Sequence, residues 1–204
     1  MTQVSLHIRK FWAGNEYRNN HYAWGAVGVM QLGVLTNNQD DIDFGRTAFN
    51  QLTRAVRSDG FLATEIWRGK RALYYHNFSL QPLCYMAQLS KLIGENWWSN
   101  EKLQTLMNTV SDATLDVSIA NKAANAAQDG FRPDEWGWYG LLPDTDPRRI
   151  KLIALMKTAS VAWSDGRGFV LKRLPDAKEL GGNQQAFRDL VDRRVLDWKV
   201  AAKR

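Results

Sequence analysis

The side chains best suited to chemistry lie in two short segments. Asn19-Asn20-His21 precedes one apolar helical stretch, and Arg68-Gly69-Lys70-Arg71 precedes another that continues to Leu80. At 100° per residue, four residues of the second stretch fall within about 100° of arc, whereas His76 points away from them. These four residues are Arg71, Tyr74, Tyr75 and Phe78. One helix face therefore carries a guanidinium and two phenols.

The same spacing also has a purely structural interpretation. Aromatic residues on one helix face are common in protein cores, and an arginine at the start of a helix often caps it or forms an ion pair. A single histidine such as His21 is likewise more often a hydrogen-bonded core residue than a catalyst. The spacing alone leaves both interpretations open.

Taken together, these side chains suit an elimination across C4–C5 of a uronic acid. Negative charge builds on the sugar carboxylate as the C5 proton leaves, so Asn20, His21 and the Arg71 fork could neutralise it. A tyrosine is a weak base at its ordinary pKa near 10, yet positive charge nearby favours the phenolate. The same phenol could return a proton to the leaving O4, while aromatic side chains hold the sugar rings.

Other chemistries lack their signatures. The chain has no GxxxxGK[ST], GxGxxG, GxSxG or HExxH motif. Its single cysteine, Cys84, forms neither an internal disulfide nor a Cys-based zinc site. Asp40, Asp41 and Asp43 lack the ligand spacing and closing glutamate of a calcium loop. These observations argue against a nucleotide cofactor, a Cys-based zinc site and a calcium loop, and we expect no cofactor.

Hydrophobic spacing predicts an almost entirely α-helical chain. No segment shows strict apolar/polar alternation, and helical patterns are followed by Gly, Asn, Asp, Ser or Pro. Pro82 should kink or restart its helix, and Gly25, Gly28 and Gly33 should let a neighbouring element approach closely. The predicted helices cover 20–35, 40–56, 69–93, 99–124, 148–163 and 184–202.

A short internal repeat suggests how the helices are arranged. Asp59-Gly60-Phe61 is followed by Glu65 and Trp67, and Asp129-Gly130-Phe131 is followed by Glu135 and Trp136, at an offset of 70 residues. Each copy follows a helix and enters an aromatic-rich loop. The repeat predicts helical hairpins packed around an axis.

The charge of the chain is uneven along its length. Residues 1–146 contain 13 basic and 15 acidic residues, and residues 147–204 contain 14 basic and 6 acidic ones, giving −2 and +8. A basic tail could meet nucleic acid, but no recognition helix is apparent in it, so we expect no nucleic-acid partner. The longest apolar stretch, 22–35, is too short to cross a bilayer, and no signal peptide is visible.

Three ordered blocks resemble the family of mannuronate-specific alginate lyases. The blocks are Asn19-Asn20-His21-Tyr22-Ala23-Trp24-Gly25-Ala26, then Asp59-Gly60-Phe61-Leu62, then Arg68-Gly69-Lys70-Arg71-Ala72-Leu73 continuing through Tyr75-His76-Asn77-Phe78-Ser79-Leu80 to Pro82-Leu83. The resemblance covers roughly 15–93 and fades beyond about 135. It implies an incomplete α/α toroid, periplasmic or secreted, that cleaves an anionic polyuronate by β-elimination without a metal.

The resemblance also implies roles for individual residues. Asn20 and His21 would bind and neutralise the uronate carboxylate, and Arg71 would help to hold it. The family's catalytic tyrosine lies seven residues after that arginine, where this chain has Phe78. Three alternatives follow: Tyr75 or Tyr74 moves the proton, His21 is the base, or the chain is an inactive, N-terminally shortened relative that binds polyuronate.

These considerations define the expected organisation and site. Residues 1–146 should form a lyase-like helical domain, with 147–204 as a basic helical extension packed on it. Asn20, His21, Arg71 and Tyr75 are the expected catalytic residues. The expected substrate-binding residues are Trp24, Arg68, Lys70, Tyr74, His76 and Phe78.

Overall fold

The computed structural model describes residues 2–129 and 137–158, and within these ranges the regular structure is helical. The α-helices are α1 (Thr2–Ala13), α2 (Asn20–Thr36), α3 (Gln39–Arg54), α4 (Ala63–Ile66), α5 (Ala72–Ser90), α6 (Glu101–Leu115), α7 (Val117–Ala124) and α8 (Pro147–Thr158). Short 3₁₀ turns cover Gly69–Arg71, Lys91–Ile93, Trp97–Ser99 and Trp138–Leu141. In the described ranges, β-pairing is limited to an isolated bridge between Val56 and Leu62. The expectation of an all-α chain is confirmed.

Helices α2 and α3 form a hairpin joined by two asparagines. Asn37 ends α2 in the left-handed conformation, with φ of 54°, and the Asn38 side chain accepts a hydrogen bond from the N–H of Asp41 at the start of α3. The helices approach closely at Gly33, where an added Cβ would lie 2.8 Å from the backbone nitrogen of Ile42. Gly28 has open space beside it, so the expected close approach does not occur there.

Helix α5 is the central helix of the domain. It packs against α2, α3, α4, α6 and α7. Fifteen of its 19 residues are buried, and the four that are not are Tyr74, Tyr75, Phe78 and Tyr85. At 100° per residue these four aromatic residues lie on one face. The helix therefore reaches the surface of the described domain along a row of aromatic rings.

Several predicted helix boundaries differ from the structure. Helix α1 was not predicted from the sequence. Among its described side chains, those of Ser5 and Trp12 are buried. The predicted 99–124 helix is divided at Asp116, which ends α6 and caps α7 by accepting from the N–H of Ser118. The 69–93 segment opens and closes with 3₁₀ turns.

Three further predictions fall wholly or partly outside the described residues. They are the helix over 184–202, the end of the helix over 148–163, and the second copy of the internal repeat beyond Asp129. Of the basic extension, helix α8 is described, and it packs against α6. None of the described helices is long and apolar enough to cross a membrane.

Candidate functional site

A row of aromatic rings connects α2 with the exposed face of α5. The rings of Trp24 and Phe78 lie 5.5 Å apart between centroids, and those of Phe78 and Tyr74 stack at 6.4 Å with an interplanar angle of 18°. Tyr74 meets Tyr75 edge to face at 5.2 Å. We call Trp24, Phe78, Tyr74 and Tyr75 the aromatic row. All four side chains are half-buried.

Pro82 does not break the helix that carries this row. Proline lacks the N–H that would bond to the carbonyl four residues earlier, which here belongs to Phe78. The indole Nε1–H of Trp24 donates to that carbonyl at 3.2 Å. Helix α5 continues to Ser90, and this hydrogen bond holds the Trp24 ring beside Phe78.

Three cations lie at the amino end of α5, next to the aromatic row. The guanidinium of Arg68 lies 4.3 Å from the centroid of the Tyr75 ring, and Lys70 pairs with Asp129 at 3.4 Å. Arg71 is exposed, and within the described residues its guanidinium makes no ion pair or side-chain hydrogen bond. Cations at a helix amino terminus oppose the helix dipole, so their clustering here favours an anionic ligand. We call residues 68–71 the cationic turn.

The cationic turn is fixed by the segment that follows α7. Gln128 donates from Nε2 to the carbonyl of Gly69 at 3.0 Å and accepts at Oε1 from the N–H of Leu73 at 2.8 Å. The backbone N–H of Asp129 donates to the carbonyl of Lys70 at 2.7 Å. One glutamine therefore caps α5 and holds the backbone of the turn that precedes it.

His21 and Asn20 are consecutive, but the structure places them differently. Asn19 caps α2 by accepting from the backbone N–H groups of His21 and Tyr22, and the His21 side chain is exposed. Asn20 is completely buried and lies on the face of α2 that continues through Ala23. Its side chain therefore does not face solvent, which differs from its expected contact with the substrate.

The Asn20 amide faces a buried carboxylate that the sequence analysis did not select. Its Nδ2 donates toward both oxygens of Glu65, at 3.3 and 3.4 Å, while Oδ1 finds no donor among the described residues. Glu65 also accepts from Ser79 Oγ at 3.0 Å and lies 3.6 Å from Arg68 Nε. A buried carboxyl group without hydrogen-bond partners would be costly, and these contacts offset that cost. Glu65 thus connects Asn20 below the surface with Arg68 above it.

His76 belongs to the core and not to the exposed face of α5. Its Nε2 accepts from the N–H of Leu62 at 2.9 Å, and its Nδ1 lies 2.7 Å from the Ala72 carbonyl, which defines the Nδ1–H tautomer. Burial disfavours the imidazolium and lowers the pKa of His76 to about 4. The ring fixes the Leu62 loop to α5. Because both of its nitrogens are occupied, His76 cannot bind a sugar, and the prediction that it does so is wrong.

The described contacts join Trp24, Phe78, Tyr74, Tyr75 and Arg68 of the predicted site, and Lys70 and Arg71 adjoin them in the cationic turn. His21 is exposed at the start of α2, whereas Asn20 and His76 are buried. Sequence reasoning missed Glu65, Trp67 and Gln128. Glu65 lies three residues before Arg68, the spacing of a helical ion pair, and this was its available signal. No group of acidic, histidine and cysteine side chains in the described part could hold a metal ion.

Chemically, this surface combines two kinds of recognition. The half-buried rings offer flat apolar faces to the C–H faces of a sugar, and the free guanidinium of Arg71 offers a bidentate site for a carboxylate. Phe78 supplies a ring but no proton. Tyr75, beneath the Arg68 guanidinium, is the phenol closest to a cation among the contacts described.

Comparison with known proteins identifies relatives of this chain. The sequence profile of the alginate lyase family matches residues 4–120. A polysaccharide lyase of Stenotrophomonas maltophilia (strain K279a) is 36% identical over 121 residues, which are 58% of this chain and 37% of the relative. An alginate lyase of Pseudomonas paraeruginosa is 37% identical over 100 residues, covering 46% and 27% of the two chains. This chain thus spans about a third of the length of these curated relatives.

Solved structures show the same fold. A variant of alginate lyase A1-III complexed with a tetrasaccharide superposes with a TM-score of 0.60 and 21% identity over 68% of this chain and 42% of that one. The apo form of a variant of the same protein gives a TM-score of 0.56 over 64% and 44%. These matches confirm the helical architecture as part of an α/α toroid. Together with the matched profile, they show that this chain belongs to the alginate lyase family.

Proposed function

We propose that this chain supplies the uronate-binding surface of a polysaccharide lyase that cleaves an anionic polyuronate, such as polymannuronate, by β-elimination. One observation carries the proposal: the central helix is buried except for four aromatic residues, and cations lie at its amino end. This pairing of apolar faces with positive charge complements a chain of sugars that each carry a carboxylate. Family membership independently supports the same class of substrate.

In the proposed reaction, Arg71 and His21 bind the carboxylate of the sugar that is attacked. They stabilise the negative charge that moves onto this carboxylate when the C5 proton is removed. The electrons of the C5–H bond form the C4–C5 double bond, and the C4–O4 bond breaks. O4 takes a proton and leaves as the new end of the polymer. Asn20 lies below these groups, where it shares the Glu65 carboxylate with Arg68.

We propose Tyr75 as the group that takes the C5 proton and returns one to O4. Phe78 has no proton to move, and Tyr75 is half-buried beside it on the same helix face. Arg68 places a positive charge 4.3 Å from the ring centroid of Tyr75, where it can balance the phenolate formed during the reaction. Phe78 then acts as part of the wall that holds the sugar ring.

The test is incubation of the purified chain with polymannuronate, polyguluronate and polyglucuronate while ultraviolet absorbance from the new double bond is followed. Absorbance should rise with at least one polymer. The rate of this rise should be at least a hundredfold lower for Tyr75→Phe and equal to that of wild type for the distant control Tyr17→Phe. No absorbance change with any polymer at high protein concentration would refute the lyase activity.

Phe78 itself favours a second candidate function, polyuronate binding without cleavage. This candidate predicts retention on immobilised alginate without any absorbance change, and gain of activity in Phe78→Tyr. Tyr75→Phe would then leave retention unaffected. The two candidates are separated by the wild-type absorbance measurement alone.

The proposed activity has consequences for location and organisation. We propose that the enzyme acts in the periplasm or outside the cell, as the resemblance to the alginate lyase family implies. We further propose that residues 147–204 extend the lyase-like domain of 1–146, because helix α8 packs against α6. Fractionation of cells that express the complete gene would test the location.

A further inference from the structure

Trp67 is far more exposed than the other tryptophans in the described part of the chain. It is 86% exposed, whereas Trp12, Trp97 and Trp138 are 9% exposed or less and Trp24 and Trp98 are half-buried. No ring contact or hydrogen bond of its side chain is found within the described residues. An indole that is 86% exposed buries little apolar area on folding, so its ring face remains accessible to a ligand.

The backbone around Trp67 is held on both sides. Glu65 and Ile66 before it are buried, and the N–H of Arg68 after it donates to the carbonyl of Glu65 at 3.1 Å. The Arg68 side chain is fixed over the Tyr75 ring at 4.3 Å. The indole is thus displayed from a well-supported turn, one residue away from the guanidinium that covers the end of the aromatic row.

The charges near Trp67 define the kind of ligand that suits it. Arg68, Lys70 and Arg71 follow it within four positions. Their acidic neighbours are Glu65, which is buried, and Asp129, which is paired with Lys70. An apolar flat ring beside a net positive turn matches a sugar that has C–H faces and a carboxylate. Arg68 and Lys70 already have carboxylate partners, so a neutral sugar or an apolar peptide would leave Arg71 as the cation without one among the described residues.

We propose that Trp67 is an additional sugar-binding residue, which stacks on a uronate unit beyond the one held by Arg71 and so extends the site along the polymer. The proposal rests on the function proposed above. It predicts that Trp67 increases the binding affinity for long oligosaccharides and has no effect on the affinity for short ones. The cationic turn binds the carboxylates of both units.

The test is calorimetric titration of wild type, Trp67→Ala and the exposed control Ile150→Ala with mannuronate dimer and hexamer. Trp67→Ala should lower hexamer affinity by about tenfold and leave dimer affinity and the thermal midpoint unchanged, because the side chain is not part of the core. Ile150, which is 55% exposed on α8, should have no effect on either ligand. Trp67→Phe should retain most of the hexamer affinity.

The outcomes separate this proposal from the one on which it rests. If wild type binds neither the mannuronate oligosaccharides nor the corresponding guluronate and glucuronate oligosaccharides, the proposed function fails. If wild type binds the hexamer and Trp67→Ala binds it equally well, the role of Trp67 alone is refuted. Equal losses for dimer and hexamer would also overturn the extension of the site. If wild type sediments as a dimer and Trp67→Ala as a monomer, the indole contacts a second copy of the chain, and the sugar-binding role is refuted.

Discussion

The indole N–H of Trp24 donates a 3.2 Å hydrogen bond to the carbonyl of Phe78, the group that Pro82 leaves without its helical donor. The bond lets α5 pass through a proline in its interior and ties α2 to α5 beside the candidate site. A missing N–H in one helix is thereby compensated by a side chain from another.

This relationship predicts that substitutions at positions 24 and 82 are not additive. Trp24→Phe should lower the free energy of unfolding by about 1–2 kcal/mol, because the Phe78 carbonyl loses its donor. In a Pro82→Ala background the same change should cost about 1 kcal/mol less, since the new N–H can bond to that carbonyl. Urea unfolding of the four proteins measures the coupling. Additive effects would show that the indole N–H does not replace the missing donor.

Burial of neutral His76 predicts a loss of stability in mild acid. Its pKa is lowered from 6.5 to about 4, so between these values the unfolded chain binds more protons than the native one. The contribution of His76 is fully present above about pH 6.5 and is lost as the pH falls toward 4, amounting to at most about 3 kcal/mol.

Thermal unfolding from pH 7.5 to 4.5 tests this effect. The midpoint should fall through this range in wild type and in the control His21→Gln, whose side chain is exposed. His76→Gln should be less stable at pH 7 and show a flatter pH profile, because no buried imidazole remains to be protonated. Parallel profiles for wild type and His76→Gln would contradict the assignment.

Removal of Glu65 should be more harmful than its neutralisation. Glu65→Ala leaves the Asn20 amide and the Ser79 hydroxyl buried without an acceptor and should lower the free energy of unfolding by about 3 kcal/mol. Glu65→Gln keeps one acceptor oxygen and the volume, so it should cost less. The exposed control Glu16→Gln should leave the urea midpoint unchanged. Equal midpoints for Glu65→Ala and wild type would refute this role.

Two glycines of α2 should respond in opposite directions to the same substitution. An added Cβ at Gly33 would lie 2.8 Å from Ile42 N and 2.9 Å from Asp41 Cβ, so Gly33→Ala should push α3 away and cost about 1–3 kcal/mol. Gly28 has nothing within 4 Å, and Gly28→Ala should stabilise the helix by about 0.5–1 kcal/mol. Thermal midpoints of the two variants measure the difference. A higher thermal midpoint in both variants would show that α2 and α3 do not approach closely at Gly33.

The sequence was most informative where periodicity and burial coincide. The 100° arc on α5 correctly separated Tyr74, Tyr75 and Phe78 from His76, because one helix face alone remains outside the core. The same rule applied to α2 would have placed Asn20 with the buried Ala23 and Val27. Helical spacing therefore predicts a buried Asn20, whereas its polar side chain and its place beside His21 predict contact with a substrate.

Other features depend on contacts that local patterns do not contain. Glu65 accepts hydrogen bonds from Asn20 and Ser79, which lie 45 and 14 positions away in the sequence. Pro82 is compatible with a continuous helix because of Trp24, which is 54 positions from the carbonyl it bonds. In each case the tertiary partner decides an outcome that propensity and spacing leave open.

The contact between Gln128 and the carbonyl of Gly69 joins positions 59 residues apart. A deletion of one residue within α7 would rotate everything after it by about 100° and draw it back by about 1.5 Å, which removes Gln128 from the turn. Such a deletion would leave every cation in the sequence and still displace the surface they form. The length of the segment from Asp116 to Gln128 is therefore constrained by this contact, and insertions or deletions there should displace the cationic turn.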